Sequence, residues 1–136
     1  MNDPLYVVLA TVWFVGCLTA LTLGRGLPRL AGGLLLAQLV LEYFGWLVAP
    51  ALITRPAGNV SGVLLAVFFV WATFAARSHW AAVAAGGQLM SVAVHAVRSL
   101  LPAVQMWAFV TARDAFGFTV LGAVVAGAWT TRRRSA

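Results

Sequence analysis

The chain has 136 residues, of which 62% are hydrophobic and 9% charged. A soluble domain carries roughly a quarter charged residues and under half apolar ones, so a water-soluble fold of this length could not hide the apolar surface, and lipid is the expected solvent. The net charge is +6, with nine basic residues, all arginine. Nucleic acid is not expected as a partner, because every arginine falls at the end of an apolar run, where it orients helices in a bilayer.

The first apolar run covers residues 5–23, after an N-terminus (Met1-Asn2-Asp3-Pro4) without the basic stretch of a cleaved signal. This run is therefore expected to be kept as a helix. It holds Cys17, the only cysteine, so an internal disulfide, a CxxC pair and a thiolate metal cluster are excluded. Residues 24–29, Gly-Arg-Gly-Leu-Pro-Arg, read as a turn. The second run, 30–53, contains Glu42, and Pro50 should kink or end it. Residues 54–59, with Arg55, Pro56 and Gly58, read as the next turn. The third run is 60–76. Arg77-Ser78-His79 is a link so short that the third and fourth runs must be antiparallel neighbours. The fourth run is 80–97 and the last 112–130. Between them, residues 101–112 are too short to span alone. They suggest a short interfacial or re-entrant helix before the last span, or an N-terminal extension of that span.

The expected fold is thus all-α: a polytopic membrane helical bundle of about five transmembrane helices, forming one domain. With the N-terminus outside, the inner segments hold Arg25, Arg29, Arg77 and Arg132 to Arg134, and the outer ones Arg55, Arg98 and Arg113. This bias agrees with the positive-inside rule for a bacterial-type inner membrane, with a cytoplasmic C-terminus. Tyr6, Trp80, Trp107 and Trp129 lie near expected helix ends, where aromatic belts form. Helix four presents Ala81, Ala82, Ala84, Ala85, Gly86 and Gly87, and helix five Gly122, Ala123, Ala126 and Gly127. Small residues let backbones approach closely. The faces suit packing inside the bundle, or docking on another copy or a larger membrane complex.

Glu42 is the main anomaly. It lies near the middle of its run, where an ionised carboxylate costs at least roughly 2.5 kcal/mol. It should face protein and find a partner there. Gln38 is one turn earlier on the same face. Helix four carries a matching stripe, Gln88, Ser91, His95 and Arg98, at helical spacing. Glu42 lies roughly 18 Å along its span, Ser91 roughly 16 Å and His95 roughly 22 Å. The second and fourth helices are therefore expected to meet along these edges, in a Glu42–His95 or Glu42–Ser91 contact. His95 could also ligate a pigment through a neutral ring nitrogen, although His79, at the opposite face, cannot complete a bis-histidine haem. Arg98, Arg113 and Asp114 suggest an outer polar vestibule, partly covered by residues 101–112 with Met106 and Trp107. Asn59-Val60-Ser61 matches a glycosylation sequon, a pattern frequent by chance.

No phosphate-binding loop, zinc-protease, nucleophile-elbow or CxxC motif is present. With three acids and two histidines in the chain, the parts for most enzyme mechanisms and for a metal site are lacking. Three functions remain. The first is movement of a proton, ion or small solute past Glu42, Gln38, Gln88, Ser91 and His95. The second is an accessory or assembly subunit that contacts a pigment, quinone or lipid. The third is a holin-like membrane-active protein.

Overall fold

The computed structural model describes residues 4–48, 54–101, 103 and 105–134. These form five helices in chain order: α1 (Pro4–Leu23), α2 (Leu27–Val48), α3 (Thr54–Ala76), α4 (His79–Leu100) and α5 (Met106–Arg134). No strand occurs among the described residues. Pro50 and Pro102 lie outside them.

Prolines that read as breakers in the sequence sit inside first helical turns. α2 begins at Leu27, not Leu30, and includes Pro28. α3 begins at Thr54, so the turn expected at 54–59 is helical and includes Pro56. The first turn of a helix has no intrahelical use for its N–H groups, so proline's missing donor costs nothing there. The actual turns are shorter. Gly26 adopts φ +63°, a left-handed conformation that favours glycine, just before α2. Arg77, at φ +46°, ends α3, and its N–H donates to the Thr73 carbonyl at 3.1 Å.

Among the described residues no separate helix precedes the last span, and of the two readings of residues 101–112 the extension of that span holds for 106–112. Residues 106–112 are the opening turns of α5, a single helix of 29 residues. Arg113 and Asp114 do not break it, because they pair with each other alongside the helix.

Short links at 24–26 and 77–78 make α1–α2 and α3–α4 antiparallel neighbours. The helices close a ring in chain order, with α5 packed on α1, α2 and α4, and α2 also packed on α3. α2 and α4 do not pack together: none of their Cα atoms approach within 8 Å. The expected meeting of these two helices is therefore corrected. The α2–α5 contact crosses the ring, so α2 and α4 face each other across a gap bounded by α3 and α5.

The core is built from small residues. Ala20, Ala31, Ala72, Ala81, Ala84 and Ala128 are buried around Phe69, Leu35, Val120 and Val124. Ala81, Ala84, Ala85 and Gly87 of α4 and Ala123 and Gly127 of α5 are buried within the chain, whereas Ala82, Gly86, Gly122 and Ala126 face outward. A Cβ on Gly127 would stand 2.6 Å from the Trp80 ring, and one on Gly87 2.9 Å from Val120 Cγ2. Large apolar side chains instead point outward, among them Phe74, Leu64, Leu41 and Val67. This distribution, small inside and large apolar outside, gives helices close approach and leaves an oily perimeter. Among the described residues, three helical segments are long and apolar enough to cross a membrane: Leu27–Phe44, His79–Leu100 and Met106–Arg133. Val7–Leu23 and Val60–Ala76 are shorter apolar stretches.

Candidate functional site

The gap between α2 and α4 is a cavity of about 340 Å³. Its walls come from the N-terminal halves of α1, α3 and α5 and the middle and C-terminal parts of α2 and α4, so it lies toward one end of the bundle. Toward the other end, which carries Arg25, Arg77 and Arg132, the interior is filled by Cys17, Ala20, Phe69, Ala72, Ala81 and Val124. None of these residues lines the cavity.

Seven of the eight residues singled out from the sequence line it: Gln38, Glu42, Gln88, Ser91, His95, Arg113 and Asp114. α2 supplies Gln38 and Glu42, one turn apart, and Gln38 Nε2 donates to Glu42 Oε1 at 2.9 Å. Glu42 is exposed at the rim, and its hydrogen-bond partner is its own helix neighbour, not His95 or Ser91. By helical rise, Glu42 stands about 22 Å along α2 and His95 about 24 Å along α4, so the two confront each other at comparable height without touching.

On α4, Gln88 is the buried member of the stripe, and its Nε2 donates to the Gly62 carbonyl of α3 at 3.1 Å. His95 Nδ1 lies 2.8 Å from the Ser91 carbonyl oxygen. A carbonyl only accepts, so this bond places a proton on Nδ1. Among the described residues, no three His, Cys, Asp or Glu side chains group to hold a metal ion by themselves.

α5 closes the wall. Asp114 Oδ1 accepts from Arg113 Nε at 3.0 Å and Nη2 at 2.8 Å, so this pair is neutral as a unit. Arg113 and Asp114 thus line the same cavity as Glu42 and His95. Arg98 is not one of its lining residues: its guanidinium lies over the Phe109 ring, 4.9 Å from the centroid. The same ring meets His95 edge-on at 5.1 Å. Phe109 therefore clasps the start of α5 to the end of α4. Met106 and Trp107 do not cover the cavity. Both are largely exposed, and the Trp107 indole N–H donates to the Gln105 side chain.

The sequence reading missed the apolar half of the site. Trp13 of α1 and Phe118 of α5 line it, with ring centroids 6.0 Å apart at 52°. Leu9, Leu35, Leu39, Val63 and Val92 complete this wall. Apolar residues in apolar helices carry no contrast. Trp13 alone offered a signal, because tryptophan favours helix ends in membranes and this one lies mid-helix. Comparison with protein-family models, with curated protein sequences and with solved structures finds no match.

Proposed function

We propose that the chain is a five-span protein of a bacterial-type inner membrane that takes a small solute into this cavity and carries it across, with Glu42 as the titrating centre. The two shorter apolar stretches complete the five spans, and the arginine distribution favours an outside N-terminus and a cytoplasmic tail. One observation carries the reading. Polar residues from three helices, separated by up to 76 positions between Gln38 and Asp114, face one cavity in an otherwise oily chain. Ionisable groups within membrane-spanning helices are costly and commonly mark a solute or proton path. A cavity open at one end and closed at the other has the form of one state of an alternating carrier.

Flux through reconstituted protein tests this. Vesicles holding a pH-sensitive dye under an imposed pH gradient, with small charged solutes supplied outside, should lose the gradient with wild-type protein and retain it with Glu42→Gln. Equal rates for both proteins would remove Glu42 from the path.

A second reading, an accessory subunit of a larger membrane complex, is favoured by the outward glycines. A Cβ on Gly86 or Gly122 would meet no heavy atom within 4 Å, so both leave room for a helix from another chain or another copy. Mild-detergent purification separates these outcomes. Co-elution with a fixed set of proteins or an absorbing pigment supports the subunit, and a homogeneous homo-oligomer supports the carrier.

A further inference from the structure

We infer that the solute is a small organic cation, an ammonium group on a single ring or short apolar body. This deepens the carrier reading and rests on the same cavity. Three features of the cavity converge on that class.

The first is charge. Arg113 and Asp114 neutralise each other through two hydrogen bonds. Among the described residues the hydrogen-bond donor to Glu42 is the Gln38 amide, and His95 on α4 is the other titratable group on the wall. With Glu42 ionised and His95 neutral, the described lining has a net negative charge, which a cation would balance and an anion would oppose. The second is size. About 340 Å³ holds the liquid volume of roughly ten waters at about 30 Å³ each, far more than a bare ion fills. It falls at the small end of the range for organic-ligand pockets. The third is the wall facing the polar strip. Trp13 and Phe118 line the cavity with their rings tilted at 52° to each other, and aromatic rings attract alkylammonium groups while accepting apolar surface. A bare metal ion finds no matching set, since no group of three metal-ligating side chains forms among the described residues.

The arrangement also gives a coupling. With Glu42 ionised, the cation sits against it. With Glu42 protonated, that attraction is lost and the cation leaves. One carboxyl then exchanges a proton for a cation, and the charge balance is kept at every step.

The test is calorimetric titration of the detergent-solubilised full chain with benzyltrimethylammonium, which stays charged at every pH, against benzenesulfonate of similar size. The expected result is saturable binding of the ammonium and none of the sulfonate. Glu42→Gln should weaken ammonium binding at least about tenfold, and Trp13→Leu by about fivefold, the scale of one solvent-accessible cation–π contact. Asp114→Asn, which exposes the Arg113 charge to the cavity, should weaken the ammonium and admit the sulfonate. Circular dichroism of each variant confirms that the helices persist. Equal affinity for the two probes, or ammonium affinity unchanged in Glu42→Gln, overturns the inference. If Glu42-dependent proton flux persists while binding is blind to charge or absent, only the cation assignment fails. If flux and binding are both absent, the carrier reading fails with it.

Discussion

Gln88 and Gly62 are joined across α4 and α3 by a hydrogen bond of 3.1 Å from the amide Nε2 to the backbone carbonyl. Gln88 is the buried polar side chain of the described core, and its bond closes the floor of the cavity. Replacing it with leucine removes the bond while keeping most of the volume. Gln88→Leu is expected to destabilise the bundle by about 0.5–1.5 kcal/mol, read as a lower denaturant midpoint in micelles. An unchanged midpoint would mean that the amide serves the cavity and not the scaffold.

Close packing of α4 on α5 yields a graded prediction. Gly127→Ala and Gly87→Ala force a methyl against Trp80 and Val120, and each should cost about 1–3 kcal/mol, the range for overpacking a filled core. Gly86→Ala and Gly122→Ala add a methyl where space is open, and should be neutral or stabilising by up to about 1 kcal/mol through reduced chain entropy. Thermal unfolding in detergent ranks the four. Loss of stability in the second pair would reveal a partner seated on the outer faces.

The clasp at Phe109 governs how firmly α5 begins. Phe109→Ala removes an edge-on contact with His95 and a cation–π contact with Arg98. The expected cost is about 1 kcal/mol, concentrated at residues 106–112. Hydrogen exchange should quicken there while residues 120–128, in the packed half, keep their protection. Uniform acceleration along α5 would show that the clasp supports the whole bundle.

Much of this architecture is legible in the sequence because long apolar runs leave few options. Apolar runs bounded by arginine mark α1 to α5 in order, and the two-residue link after Ala76 makes α3 and α4 neighbours. Gln38, Glu42, Gln88, Ser91 and His95 stand out as polar residues in apolar helices, and all of them line the cavity. What escapes a sequence reading has physical causes. Pro28 and Pro56 look like breaks, but a first helical turn tolerates proline. Residues 106–112 look detached, yet Arg113 answers Asp114 one position away and the helix runs through. Periodicity identifies which residues share a face, not which helices adjoin. The α2–α4 contact expected from matching stripes is therefore replaced by two stripes facing across a space. The Gly62 carbonyl and the Trp13–Phe118 wall leave no mark that hydropathy can read.

Side-chain accessibility tests the central claim, a polar cavity open to one face of the membrane and sealed from the other, most directly. Single cysteines replace Gln38, Ser91, Ala31 or Ala84 in a Cys17→Ser background, and oriented vesicles are treated with a membrane-impermeant maleimide. The account predicts labelling of Gln38→Cys and Ser91→Cys only from the face opposite Arg132 and Arg133, and no labelling of Ala31→Cys or Ala84→Cys from either face. Labelling of the first two from the arginine face, or from neither face, would contradict it.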